Sequence, residues 1–338
     1  MSKNIVVSLD GTWNDKDNAD TMSNVALLHD MCLDHESRQI IYYDEGVGSD
    51  GWYDKKLGGL HGVGLSKNIR EAYKFITQHY GENDRLYLFG FSRGAYTARS
   101  LAGLLFRCGL GQADAQLDTA IQTIYAAYRN KDATKMAAFK TANRPCPVAM
   151  LGVWDTVGAL GIPVSFLSDA SSKVFGFHDT TLSPEVELAC HAVALDEKRE
   201  SFEPTLWRET TDSAQRIKQV WFAGVHSDIG GGYRERHHSD LVLKWMVDHA
   251  IKAGLHLDED KTYTYSTDLT KEIHNSVYRL FGKDIGVRPR DAPPTTGHTP
   301  RIHKSVCEKM FASTSYQPLA IQQYILDTQT LQPYLIDV

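Results

Sequence analysis

The sequence predicts an α/β protein: a mostly parallel central sheet with helices on both faces and helical insertions. Three observations predict it. Short continuous apolar runs at residues 5–9 (IVVSL), 86–91 (LYLFGF) and 148–154 (VAMLGVW) have the character of strands buried on both faces. Segments with apolar residues at helical spacing separate them, as at Ile69, Ala72, Tyr73 and Ile76, where Ser66 is expected to cap the helix. Each run also stops in a turn of Gly, Asp, Ser or His, and in open α/β sheets ligands gather outside the carboxyl ends of the strands.

Taken in order, the first strand ends at Asp10-Gly11-Thr12, and a helix over 24–32 leads to a second strand at 39–43 that ends in Asp44-Glu45-Gly46. A glycine-rich stretch at 58–64 precedes the helix that begins at Ser66, and the run 86–91 then turns at Gly90-Phe91-Ser92-Arg93-Gly94. Ala95, Ala98 and Ala102 at helical spacing continue that turn as a helix. Residues 113–142 are Ala-rich and helical, with Ile121, Ile124, Tyr125 and Tyr128 as an apolar stripe; they read either as a cap or as another packed helix. The strand at 148–154 stops at Asp155-Thr156-Val157-Gly158. Residues 162–212 read as irregular and then helical around 184–193, a second candidate lid. A strand over 217–225 ends at His226-Ser227-Asp228 before three glycines, and a helix over 239–253 follows. The last 80 or so residues are polar and Pro-containing and carry no clear period. No repeat or low-complexity linker divides the chain, so residues 1–338 are expected to form one domain.

Composition narrows the function classes. The formal net charge is −6, with 36 basic against 42 acidic residues and no dense basic block, so a nucleic-acid role lacks its electrostatic footprint. Five scattered cysteines without a Cys-x-x-Cys pair point to buried thiols in a reducing compartment. The amino terminus enters a strand almost at once, leaving no room for a charged region and apolar signal core. The expected location is therefore the cytoplasm, or outside the cell by export without a cleavable signal.

The chemistry lies at the strand ends. Gly-x-Ser-x-Gly between a strand and a helix is a nucleophile elbow, in which flanking glycines avoid the clash that a Cβ would make in so tight a turn. Ser92, Asp155 and His226 then follow in the chain order of an α/β-hydrolase triad. A serine hydroxyl is a poor nucleophile at neutral pH, so an imidazole must take its proton and a carboxylate must hold that imidazole in the right tautomer. Ser92 is thus the expected nucleophile, His226 the general base and then acid, and Asp155 the orienting carboxylate. The amide of Arg93 and one from the Gly11-Thr12 turn are the expected oxyanion donors.

Rivals stand beside these assignments. Asp155 has a turn cap as its rival reading, Asp228 is the alternative carboxylate or a support for His226, His303 is the alternative base, and Asp10 reads as a structural acceptor of turn amides. A metal-dependent hydrolase would draw on His226-x-Asp228 with His237 and His238, although it leaves the elbow unexplained. A non-catalytic binding module is the third class. The serine mechanism itself calls for no metal and no cofactor.

The blocks SLDGTWND at 8–15, YYDEGVG at 42–48, GFSRGAYTARSLAG at 90–103, GVWDTVGA at 152–159, HAVALDEKRESFEPTLW at 191–207 and VWFAGVHSDIGGGY at 220–233, with RIHKSV further on, resemble the α/β-hydrolase family that includes the type VI secretion phospholipase effectors. The resemblance implies a lipase- or phospholipase-like serine ester hydrolase whose nucleophile, acid and base fall on Ser92, Asp155 and His226. It implies a lipid or other ester substrate and peripheral contact with a membrane, with immunity and secretion partners in the effector members. A small-ester or thioester hydrolase is the alternative within the enzyme class.

Overall fold

The computed structural model describes residues 2–11, 21–46, 60–158, 181–210, 212–277, 279–280, 283–284, 286–290, 300–313, 315–321 and 335–336. Its centre is an eight-stranded sheet. The strands β1 (Asn4–Leu9), β2 (Gln39–Asp44), β3 (Arg85–Phe91), β4 (Val148–Trp154), β5 (Val186–Ala194), β6 (Ile217–Phe222), β9 (Arg301–His303) and β10 (Leu335–Ile336) lie in the order β10-β9-β6-β5-β4-β3-β1-β2. Every pairing in it is parallel. Two short strands, β7 (Arg279–Leu280) and β8 (Lys283–Asp284), pair separately as an antiparallel ribbon. The α/β class read from the sequence is the class observed.

A parallel sheet needs crossover connections, and these put helices on both faces. Alternation along β1 shows the result: Ile5, Val7 and Leu9 enter one core layer and Val6 the other. The first layer is closed by α2 (Leu60–His79), α3 (Arg93–Cys108) and α4 (Leu117–Arg129), with α5 (Ala133–Ala142) outside it. The second is closed by α1 (Asn24–Met31) and α7 (His237–Lys252), with the short α6 (His226–Gly230) at its edge. A third cluster joins Trp221 and Val193 to Ile302 and to Val306 of α8 (Ser305–Ala312) at the β9 edge.

Three expectations change. Ser66 lies inside α2, which begins at Leu60, so it is no cap; its hydroxyl accepts from Tyr125 at 2.9 Å. Residues 113–142 form two helices, broken where the Asp132 side chain accepts the Lys135 amide and caps α5. Leu117, Ile121, Ile124 and Tyr128 of α4 are buried in the first layer, so α4 is a packed helix of that layer, each such side chain contributing about 1.5–3 kcal/mol. The segment read as helical around 184–193 is β5, hydrogen-bonded between β4 and β6 in the middle of the sheet. Residues 159–180, the larger part of the second expected lid, lie outside the described residues.

Candidate active site

The elbow is built by backbone geometry. β3 hands the chain to α3 through Ser92, whose φ of 58° and ψ of −120° lie where non-glycine residues seldom sit. A Cβ on Gly90 would come within 2.5 Å of the Gly94 carbonyl oxygen, and one on Gly94 would meet the Leu9 carbonyl oxygen and come within 2.5 Å of that of Asp10. The two glycines of the pentapeptide are therefore steric requirements of the turn. The Ser92 amide donates to the Trp154 carbonyl at 3.1 Å, which fastens the elbow to the end of β4.

One residue beyond Trp154, Asp155 is completely buried with φ of 36°. Its carboxylate accepts four hydrogen bonds: Oδ1 takes the Ala194 amide at 2.9 Å and Arg290 Nη1 at 2.6 Å, and Oδ2 takes His226 Nδ1 at 2.6 Å and Arg290 Nη2 at 2.9 Å. Burial disfavours its charge, but Arg290 and His226 outweigh that and hold its pKa well below the usual carboxylate range. Because an ionised carboxylate only accepts, His226 donates from Nδ1 and its Nε2 carries the lone pair when the ring is neutral. Burial depresses the His226 pKa below its ordinary value, with Asp155 pulling in the opposite direction. His226 opens α6, and its ring lies 4.6 Å from that of Phe91, the residue before Ser92. Gly230 permits this docking, since a Cβ there would collide with the Phe91 ring. The geometry thus brings Asp155 onto His226 and His226 against the elbow.

The other sequence-predicted residues have different partners. Asp228 accepts from the Val225 amide at 3.0 Å and from His274 Nδ1 at 2.6 Å, so it braces the turn and holds His274 instead of pairing with His226. His303 bonds Ser305 Oγ at 2.8 Å and stacks on Phe222 with centroids 4.6 Å apart. Asp10 accepts from the Tyr43 hydroxyl at 2.6 Å and from Ser23 Oγ. Gly11, expected as an oxyanion donor, gives its amide to Asp10 Oδ1 at 2.6 Å instead; Thr12 lies outside the described residues. Arg93 opens α3, where first-turn amides have no intrahelical acceptor. His237 bonds Ser266 at 2.6 Å while His238 is buried in α7. Among the described residues no group of three His, Cys, Asp or Glu side chains is disposed to hold a metal ion.

Three residues with no role read from sequence surround the pair. Glu197, fully buried, accepts the His226 amide at 3.2 Å, Ser276 Oγ at 2.9 Å and both Nε and Nη2 of Arg199 at 3.0 and 2.8 Å. His191 Nε2 accepts the Thr156 amide at 3.1 Å while Nδ1 meets Gln219 at 3.0 Å, so the ring fixes the backbone just after Asp155. Burial, with Arg99 nearby, pushes its pKa down to about 3 and keeps it neutral. Arg290 is the third. Glu197 and His191 stand in the block 191–207, which offered a signal without a role; Arg290 has no local signal at all.

The family model described as "T6SS, Phospholipase effector Tle1-like, catalytic domain" matches residues 3–249. The chain belongs to this family. The matched span takes in Ser92, Asp155 and His226. An uncharacterized protein of Saccharomyces cerevisiae is 30% identical over 229 residues, which cover 59% of this chain and 32% of that protein. Among solved structures, an uncharacterized protein from Pseudomonas aeruginosa aligns with a TM-score of 0.46 and 19% identity over 76% of this chain and 46% of that one. A Tle1 effector bound to the VgrG spike of the type VI secretion system aligns with a TM-score of 0.43 and 20% identity over 69% and 51%. The chain thus spans between a third and about half the length of these proteins.

Proposed function

We propose that this Tle1-like domain hydrolyses the acyl ester of a lipid, with glycerophospholipid as the substrate class, through an acyl-enzyme on Ser92. The observation that carries the reading is the 2.6 Å contact between His226 Nδ1 and Asp155 Oδ2 on an imidazole packed against the elbow that bears Ser92. In this mechanism Ser92 Oγ attacks the acyl carbonyl carbon as His226 Nε2 takes its proton, and Asp155 stabilises the imidazolium. Collapse of the tetrahedral intermediate expels the alcohol, which leaves with the proton from His226. Water, deprotonated by the same nitrogen, then attacks the acyl-enzyme and frees Ser92. The Arg93 amide at the amino end of α3 supports the developing oxyanion. Among the described residues no helix is long and apolar enough to cross a membrane.

Ser92→Ala tests the reading. It is expected to lower hydrolysis of p-nitrophenyl esters and of phosphatidylcholine by roughly 10⁴-fold or more and to abolish fluorophosphonate labelling, with an unchanged melting temperature. Turnover that survives in this variant would sink the serine mechanism, and turnover lost on adding a chelator would favour a metal-dependent one. A panel of phospholipids and esters of graded chain length decides the substrate class: activity confined to short soluble esters or thioesters would overturn the lipid assignment.

A further inference from the structure

The carboxyl-terminal part of the chain lies outside the span that matches the family, yet it reaches the buried carboxylates around His226. His274 bonds Asp228 at 2.6 Å, Ser276 bonds Glu197 at 2.9 Å, and Arg290 grips both oxygens of Asp155. The backbone follows the same course: Glu200 donates to the Gly286 carbonyl at 2.8 Å and Arg288 to that of Lys198 at 2.7 Å. His274, Ser276, Gly286, Arg288 and Arg290 therefore lace α6 and the loop after β5 to the end of β4. Arg290 is the most committed member. It is 7% exposed, donates to the Ala194 carbonyl at 2.7 Å and to that of Phe202, and presents its planar fork to the carboxylate through two parallel N–H bonds.

We propose that Arg290 is a positioning residue for the hydrolysis: its two-pronged grip holds Asp155 ionised and aligned on His226, so the site is completed by a segment beyond the family-matched domain. The inference rests on the Ser92-His226-Asp155 reading. Besides aligning the carboxylate, Arg290 competes with His226 for it, and this competition sets the proton affinity of the pair. With both oxygens on a fixed cation, Asp155 still orients the imidazole, but it stabilises the imidazolium less than a carboxylate shared with His226 alone. Arg290 also faces His226 as a like charge once the ring is protonated. Among the described residues, the charged or titratable groups around the two are Arg290, Glu197 with its partner Arg199, Asp228 on α6, and His191 with Arg99 behind it. Among them Arg290 is the cation in direct contact with Asp155.

The sign of the effect follows. Removing the cation lets the His226–Asp155 pair take up a proton at higher pH, which removes the base. Arg290→Gln is expected to lower kcat/KM by roughly ten- to a hundredfold, the loss that accompanies a hydrogen bond to a charged group, and to move the acid limb of the pH profile upward by roughly one unit. Arg290→Lys keeps the charge without the fork, so its acid limb should stay near that of the wild type while kcat falls by an intermediate factor and KM holds. A folded Arg290→Gln whose acid limb does not move overturns the proposal, whatever its rate. If that variant does not fold, Arg290→Lys decides: wild-type kcat there overturns the role of the fork. Fluorophosphonate labelling of the wild type runs alongside. A wild type that is not labelled at Ser92 removes the triad and this proposal with it, whereas a labelled wild type with an unmoved acid limb in Arg290→Gln removes the proposal alone.

Discussion

Ser92 and Asp155 both carry a left-handed backbone, with φ of 58° and 36°. Such conformations cost of order 1–3 kcal/mol each and persist only where the surroundings over-determine them. Here the surroundings are specific: the Ser92 amide on Trp154, the Asp155 amide on Ala192 at 2.8 Å, and the Thr156 amide on His191. Gly94 belongs to the same construction, because it lets the first turn of α3 lie against the end of β1. Gly94→Ala forces a methyl group onto two backbone carbonyls that sheet pairing prevents from yielding, so it should destabilise the fold by roughly 1–3 kcal/mol or more. An unchanged urea midpoint in that variant would mean that the elbow tolerates a side chain there. The residues legible in the sequence at this scale were those marking a strand end with a special turn: Ser92, Asp155 and His226. Arg290 was not legible, since its partner lies 135 positions away and nothing in its own neighbourhood announces a buried cation.

Strands β1, β3 and β4 were legible because short, nearly continuous apolar runs that stop at turn residues read as doubly buried strands. β5 was not. Its sequence VELACHAVA is rich in Ala and, apart from His191, apolar from Leu188 onward, so periodicity cannot separate strand from buried helix, and only its place between β4 and β6 decides. The three residues β9 contributes to the sheet are too short to carry a pattern. α7 shows how the layers then lock. Met246 is fully buried and lies over Gly152 of β4, where a Cβ would come within 2.8 Å of its sulfur. The glycine makes the hollow and the methionine fills it. Met246→Ala should cost about 2–5 kcal/mol in urea unfolding, while Ser92 stays reactive toward fluorophosphonates in the folded fraction. A loss below about 1 kcal/mol would show that the helix can settle into the gap.

Across the whole molecule, stability should depend on pH through groups buried in the wrong charge state for acid. Burial pushes the pKa of His191 down to about 3 and those of His238 and His249 down to about 4. These folded values lie below the ordinary 6.5, so the stability they contribute is present above pH 6.5 and is lost as pH falls toward 4. Glu197 adds a later loss: burial raises its pKa but the Arg199 pairing wins and holds it at about 2, so its contribution fades below the ordinary 4.5. Asp196 works in reverse. Burial lifts it to about 6, so its contribution is present below the ordinary 3.8 and is lost as pH rises through 6. Three histidines against one aspartate leave a net uptake of about two protons on unfolding near pH 5, at about 1.4 kcal/mol per proton per pH unit. The unfolding free energy should therefore fall by a few kcal/mol between pH 6.5 and 5, and a flat profile would contradict the buried neutral histidines. His249 isolates the effect, because it sits on α7 beside Trp245, with ring centroids 4.9 Å apart, and takes no part in the Asp155–His226 contacts. His249→Gln should reduce the slope by about one proton while leaving the pH profile of the proposed ester hydrolysis in place, which separates acid unfolding from protonation of His226.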